Sequence, residues 1–347
     1  MRIIKNKKEW NNLLEKEFGE YNDSFFRYDY FSLYGKHYNA EPEAVFWQDN
    51  NLKIFWSHLV RKIDSGHFDL TTPYGYGGPL IVEKKKNKKT GLNDFWSDYK
   101  NYALEKNYVS EFVRFHPVYR NWRFFDSEYL NDVVLVDLKK NLEEIWKKIK
   151  KGHRYNIKKS LKEGCKIKII KNPSFKNIDN FSSFYYSVMD KNKAQKKYYF
   201  SRDFIRAHLK MPDSFLIEAI CGEKVIGSSI FLAGDKIIHY FLSGAKDGLK
   251  GLYPSNLILW EAIKTAKENN FKWLHLGGGR GKNDSLFDFK KGFSNFTKPF
   301  KIGKIIFNQD FYNKLIEKKN KNKLSAYSGK NNSSFFPKYR RYENSII

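Results

Sequence analysis

Two stretches of the chain place β-rich runs on either side of a short turn. In the first, Ala44-Val45-Phe46-Trp47 precedes Gln48-Asp49-Asn50-Asn51, and Leu52-Lys53-Ile54-Phe55-Trp56 follows. In the second, residues 215–220 precede Cys221-Gly222-Glu223-Lys224, and residues 225–232 follow. β-branched and aromatic runs around Asp, Asn and Gly predict a β-hairpin at each place. A helical stripe comes after each hairpin. Trp96, Tyr99, Tyr102, Ala103 and Leu104 form one and lead into a strand at 112–116. Leu257, Trp260, Ile263 and Ala266 form the other and lead into a strand at 272–276. Hairpin, helix and strand thus occur twice, which predicts two copies of one α/β unit.

Between the copies the pattern predicts a strand at 132–138 and a basic helical stretch at 141–164, interrupted at Gly152. Gly164 is placed to cap that helix before a strand at 166–170. A further strand is expected at 300–307. From Ile316 the chain is rich in Lys, Asn and Ser without apolar periodicity, which predicts a mobile basic tail. The expected division is a first domain at 1–138, a second at 139–315 and the tail at 316–347.

Composition narrows the function classes. A length of 347 residues with 41% hydrophobic content supports two folded domains and excludes wholesale disorder. Cys165 and Cys221 are the only cysteines, too few for a disulfide framework, and they have no zinc-ligand spacing. No apolar run approaches the roughly 20 residues that span a bilayer. The N-terminus becomes charged before a signal-peptide core develops. A cytoplasmic protein is expected, with the inner face of the membrane as a further place of action. The net charge is +26, of which +10 lies in residues 146–171 and +6 in 316–347. Such density suits a phosphate-bearing ligand.

Several segments could carry chemistry. Gly277-Gly278-Gly279-Arg280-Gly281-Lys282 follows a strand but has neither the P-loop spacing nor the dinucleotide pattern. Its glycines read as a strand-to-helix turn, and Arg280 and Lys282 suit an anionic ligand. Phe289 and Phe293 are i,i+4 partners facing a core, with Lys290 and Lys291 between them. In Thr72-Pro73-Tyr74-Gly75-Tyr76-Gly77-Gly78-Pro79 a packed turn and a ligand loop are equally good readings of Tyr74 and Tyr76. Arg114 and His116 share a strand face with Phe112 and could line a polar cleft. His239 and Tyr240 lie on opposite faces of their strand, and one of them is expected to meet a pocket. No nucleophile triad or Cys–His pair is suggested.

The stretch from His153-Arg154-Tyr155-Asn156 through Lys158 to Gly164 resembles a basic helix of the FemAB-like aminoacyltransferases. The resemblance continues at Tyr240-Phe241-Leu242-Ser243-Gly244-Ala245, at Tyr253-Pro254-Ser255-Asn256 with Trp260, and at Phe289-Lys290-Lys291-Gly292-Phe293. It covers roughly residues 40–310. It implies an α/β (α+β) fold of two tandem GNAT-type domains, each a mixed twisted sheet flanked by helices, with the donor in the second. It implies N-acyl transfer to an amine of a nucleotide- or lipid-linked cell-envelope glycan or peptidoglycan precursor. The donor implied is aminoacyl-tRNA or acyl-CoA, without a tightly bound cofactor or metal. Lys290 is then implicated at the donor ester and Arg154 at precursor phosphates.

Residues 247–253 depart from the GNAT pyrophosphate loop, against CoA, and the helical-hairpin insertion of some tRNA-using members is absent, against tRNA. An amine attacking an ester needs no protein nucleophile, only orientation, proton removal and oxyanion stabilisation. Lys290, His239 and Tyr240 are therefore the catalytic candidates. Arg154, Lys158, Tyr74, Tyr76, Arg114, His116, Tyr253, Ser255, Asn256 and Arg280 are the substrate-binding candidates. The alternatives are a non-catalytic RNA-binding protein using residues 146–171 as a phosphate track, and peripheral contact of the tail with anionic lipid.

Overall fold

The first expected hairpin forms because its turn closes on itself: the Asp49 carboxylate accepts the backbone N–H groups of Asn51 and Leu52 at 2.7 and 2.6 Å. The computed structural model describes residues 1–83, 89–249, 251–279, 281, 284–321 and 335–340. They fall into two units, each discontinuous in sequence. The first comprises Met1–Tyr21, Phe25–Leu130 and the described residues from Phe300 onward, and the second comprises Asn22–Ser24 and Asn131–Pro299.

The first unit opens with β1 (Arg2–Ile4), α1 (Lys7–Glu17), α2 (Tyr28–Tyr38), the hairpin β2 (Ala40–Gln48) and β3 (Leu52–Lys62), β4 (Phe68–Thr71), β5 (Gly78–Glu83), α3 (Lys89–Glu105) and β6 (Tyr108–Arg114). The chain then enters the second unit along β7 (Glu128–Asp137), followed by α4 (Leu142–Lys148), α5 (Lys151–Lys162), β8 (Lys166–Ile170), α6 (Phe175–Lys191) and α7 (Arg202–Leu209). The hairpin β9 (Ser214–Cys221) and β10 (Lys224–Ala233), β11 (Ile237–Ala245), α8 (Pro254–Glu268), β12 (Trp273–Gly277) and α9 (Ser285–Lys291) complete it. β13 (Thr297–Ile306) and α10 (Gln309–Lys321) return the chain to the first unit.

The expected fold class holds: each unit is a mixed sheet flanked by helices, and both hairpins are present. In the first unit the strands follow the order β1-β2-β3-β4-β6-β13 with β5 also on β3, and in the second the order β7-β12-β11-β10-β9-β8. One pair in each is parallel, β4 with β6 and β11 with β12. Parallel neighbours need a crossover, and α3 and α8 lie in the two connections.

The expected domain limits at 138 and 315 differ from these units for a topological reason. β7 follows β6 in the chain but pairs with β12, and β13 follows β12 in the chain but pairs with β6. The closing strands are exchanged, so neither unit is one continuous segment. Residues 316–347 are also more than a mobile tail in their described part. α10 runs to Lys321, and Phe336, Tyr339 and Arg340 are buried. Arg340 Nε donates to Asp69 Oδ2 at 2.5 Å and the Tyr339 hydroxyl donates to the same oxygen at 2.9 Å, while Arg61 holds Asp69 Oδ1 at 2.8 Å. Residues 322–334 and 341–347 lie outside the described residues.

The basic helical stretch breaks at Ile149 and Lys150 rather than at Gly152, which lies in the first turn of α5. Ile149 is buried in extended conformation, and the Lys150 N–H donates to the Gly292 carbonyl at 2.8 Å instead of continuing the helix. Gly164 caps α5 as expected, with φ of 76°. Of the first helical stripe, Leu104 is exposed, and Tyr99, Tyr102 and Ala103 are buried.

The core of the first unit contains a polar network with no sequence signal. His58 Nε2 contacts Glu43 Oε1 at 3.1 Å, and the hydroxyls of Tyr102 and Tyr108 donate to the same oxygen at 2.9 and 3.0 Å. The Tyr99 hydroxyl and Trp56 Nε1 donate to Glu111 at 2.8 and 2.7 Å. Burial opposes the Glu43 charge, but His58 and Lys5 outweigh it and hold the carboxyl at about 2; burial pushes the Glu111 carboxyl up. Buried carboxylates are tolerated where hydrogen bonds and a counter-charge meet them, as Lys5 Nζ does 2.9 Å from Glu43 Oε2.

The strand exchange predicts how fragments behave. Residues 139–315 expressed alone lack β7, leave the β12 edge unpaired and should show no cooperative thermal transition. Co-expression with residues 1–138 should restore one. A cooperative melt of 139–315 alone would show that β7 is dispensable.

Candidate active site

β11 and β12 begin as a parallel pair and then part. Their register runs Ile237 with Trp273, Ile238 with Leu274 and His239 with His275, and β11 continues to Ala245 without β12. On its other side β11 carries a bulge. Leu242 faces Ile230 and Tyr240 faces Phe231, so Phe241 is an extra residue. An extra residue shifts the alternation by one, which turns Tyr240 and Ser243 to the same face. Ser243 and its cross-strand partner Ser229 are joined hydroxyl to hydroxyl at 2.8 Å. Burial raises the Tyr240 pKa, and the two serine hydroxyls offset part of the rise.

Lys290 of α9 reaches the place where the strands part. Its Nζ donates to the Gly278 carbonyl, just past the end of β12, at 2.7 Å and lies over the Tyr240 ring at 5.8 Å. Gly277 has φ of 77°, and a Cβ there would meet Lys290 Nζ at 3.3 Å, so glycine fits the turn beside the ammonium. The side chain is 8% exposed. Burial lowers its pKa to about 8, with the Asp284 charge pulling the other way. Asp284 also caps α9, accepting the Phe287 N–H at 2.8 Å and the Gly281 N–H at 2.9 Å.

The rest of the Phe289–Phe293 motif fixes α9. The His153 ring of α5 stacks on Phe293 with centroids 4.8 Å apart, and its Nε2 donates to the Phe289 carbonyl at 3.0 Å. That bond leaves Nδ1 to accept from the Asn256 amide, at 2.6 Å. A Cβ on Gly292 would stand 1.8 Å from the His153 ring, so only glycine admits the imidazole. Burial, the largest effect, lowers the His153 pKa. Three helices, α5, α8 and α9, are thereby clamped around one ring.

Of the catalytic candidates, Lys290 and Tyr240 come together in this site. His239 lies on the opposite face of β11, where Nε2 contacts Asp23 Oδ2 at 2.7 Å and the ring meets His275 at 5.2 Å. Asn256 is buried in the His153 clamp. Tyr253 and Ser255 stand at the start of α8, the Tyr253 N–H donating to the Ser160 hydroxyl at 3.0 Å. Lys158 is exposed on α5 and Arg154 is half-buried. Arg280 and Lys282 lie outside the described residues.

Tyr74, Tyr76, Arg114 and His116 belong to the first unit. His116 is buried and stacks on Tyr119 at 4.2 Å. Tyr76 packs edge-on against Phe25, His116 and Phe300, and burial raises its pKa. The Tyr74 carbonyl accepts the Tyr30 hydroxyl at 2.5 Å, and Arg114 donates to the Thr72 carbonyl at 3.2 Å. This packing accounts for the order of the loop. Ser229, Ser243, His153 and Asp284 escaped the sequence reading of roles; His153 and Ser243 had a signal in their places within the quoted motifs, and Ser229 and Asp284 had none.

The chemistry open to the site is that of a buried cation beside a protonated phenol. An ammonium has three N–H donors, and among the described residues Lys290 spends one, on Gly278. The remaining donors can meet an oxygen that gains negative charge, in surroundings where screening is weak. Holding the cation there costs stability. A lysine depressed to about 8 from an unfolded value near 10.4 disfavours folding below pH 8, and the cost falls as pH rises between the two values. Lys290→Met should therefore raise the urea midpoint at pH 7, by up to about 3 kcal/mol, and the gain should shrink by pH 10. Lower stability of the variant at pH 7 would contradict the burial cost.

The comparisons with known proteins bear on the same region. Residues 216–311, from β9 into α10, match the FemAB family model. No curated protein matches the sequence significantly. Among solved structures, FemX superposes with a TM-score of 0.68 at 11% identity, covering 90% of this chain and 99% of FemX. A conserved protein of unknown function from Bacteroides thetaiotaomicron gives 0.58 at 10% identity, covering 88% of this chain and 99% of that one. L-PGS from Bacillus licheniformis gives 0.52 at 11% identity, with coverages of 86% and 91%. At these identities the likeness is one of fold. Residues 216–311 thus carry the pattern of the FemAB family, and nine-tenths of the chain shares the fold of FemX.

Proposed function

We propose that the chain transfers an aminoacyl group from its ester on tRNA to an amine of a cell-envelope glycan or peptidoglycan precursor. The observation that carries this reading is Lys290, a buried ammonium held where β11 and β12 part, within the stretch that matches the FemAB family. The parting strands leave an extended edge on β11 for the donor. The acceptor nitrogen attacks the ester carbonyl, a C–N bond forms, and the carbonyl oxygen takes up charge that Lys290 meets with an N–H. The tetrahedral centre collapses, the C–O bond to the ribose breaks, and the proton lost by the amine goes to the departing hydroxyl. Tyr240, protonated because burial raises its pKa, is a donor to either oxygen. The Ser229–Ser243 pair orients it.

Arg154 and Lys158 on α5 are assigned to phosphates of the precursor or of the tRNA. Charge in residues 146–171 then serves donor and acceptor capture, and RNA binding is part of the activity instead of the whole of it. The likeness to a putative lysylphosphatidylglycerol synthetase from Agrobacterium fabrum, with a TM-score of 0.52, supports an aminoacyl donor on this fold. Acyl-CoA is the second reading, and the parted strands favour it, because an extended pantetheine arm can lie along the free edge of β11.

The test incubates the purified chain with amino-sugar nucleotides or lipid-linked precursors and either labelled aminoacyl-tRNA or acyl-CoA. Product that RNase abolishes is expected; product from acyl-CoA that is indifferent to RNase would replace the donor. Lys290→Ala should lower kcat by about 10²–10³-fold with the acceptor KM little changed. Undiminished turnover in that variant would remove Lys290 from the chemistry.

A further inference from the structure

Cys165 and Cys221 lie far apart in sequence but side by side in the second unit. β8 and β9 are antiparallel, with Lys166 opposite Ile220. One step outward from that pair sets Cys165 opposite Cys221. Residues directly opposite on antiparallel strands have Cα atoms about 4.5–5.5 Å apart and side chains on one face. That separation falls inside the roughly 4.4–6.8 Å that a disulfide spans. The two thiols are within hydrogen-bonding reach of each other, and Cys221 Sγ also approaches the Glu163 carbonyl at 3.5 Å. Their surroundings differ. Cys165 is buried within the core cluster of the unit, and Cys221, half-exposed at the turn of the β9–β10 hairpin, packs against that cluster from its edge.

We propose that Cys165 and Cys221 form a reversible dithiol–disulfide pair that small-molecule disulfides oxidise. Closed, it would fasten the α5–β8 turn to the β9–β10 hairpin. The accessible Cys221 thiolate attacks a disulfide RSSR, forming an S–S bond to one sulfur and releasing RS⁻. Cys165 then loses its proton and attacks Cys221 Sγ, forming the cross-strand bond and releasing the second RS⁻. Two protein thiols and one RSSR become one protein disulfide and two RSH, so the oxidant is the added disulfide alone. Burial, and Cys221 beside it, push the Cys165 thiol up to about 12, which keeps it protonated until the mixed disulfide stands next to it. An accessible attacking thiol with a resolving thiol at hand is the arrangement of a reversible redox pair.

The test exposes the full chain to oxidised glutathione and follows intact mass, free thiols and the peptide map. The expected result is loss of the two thiol hydrogens, a cross-linked Cys165–Cys221 peptide and full reversal by dithiothreitol. Cys165→Ser should stop at one glutathione adduct on Cys221, and Cys221→Ser should take up none. A stable glutathione adduct on the unaltered chain, a disulfide-linked dimer, or two thiols that persist while Cys165→Ser is glutathionylated would each overturn the proposal.

Discussion

β6 and β12 each present an edge of backbone hydrogen-bonding groups, and in each case the covering strand comes from the other half of the chain. An uncovered edge would leave those groups to water or to another chain. Much else in the second unit depends on this cover. With β7 fixed along one side of β12, the sheet can open on the other side, between β12 and β11. The opening sits at the carboxyl end of a parallel pair, where a crossover fold of this kind receives ligands. The same exchange explains why two compact units do not correspond to two halves of the sequence.

The opening becomes a site through two local departures from regular structure. The bulge at Phe241 moves Ser243 onto the face of Tyr240, and the positive φ at Gly277 brings the Gly278 carbonyl to Lys290. Each feature weakens the sheet or the turn that contains it. Burial of the Lys290 ammonium adds a further cost. A cation buried at a cost in stability is what the proposed role of Lys290 calls for.

Much of this was legible in the sequence because it follows from local pattern. The hairpins, the helical stripes of α3 and α8, the Gly164 cap and the pairing of Phe289 with Phe293 all express periodicities or turn chemistry that act over a few residues. What stayed hidden depends on partners distant in the chain. No local signal tells β7 to leave β6, and the bulge at Phe241 cannot be read from a run as uniformly apolar and aromatic as Tyr240-Phe241-Leu242. Glu43, His58 and Glu111 look like surface residues until three tyrosines and a tryptophan enclose them. The basic tail looked mobile because its anchors, Tyr339 and Arg340, bind an aspartate some 270 residues away. The Tyr74–Pro79 loop, open to two readings, is packed by its own aromatics.

The central claim is that Lys290 is a depressed, buried ammonium whose charge drives acyl transfer. Its direct measurement is a titration of the Lys290 side chain by NMR with selectively labelled lysine, set beside the pH dependence of single-turnover transfer. The account predicts a midpoint near 8 for the side chain and a rate that falls with the same midpoint as the cation is lost. A lysine titrating near 10.4, or a rate that stays constant while Lys290 loses its proton, would contradict it.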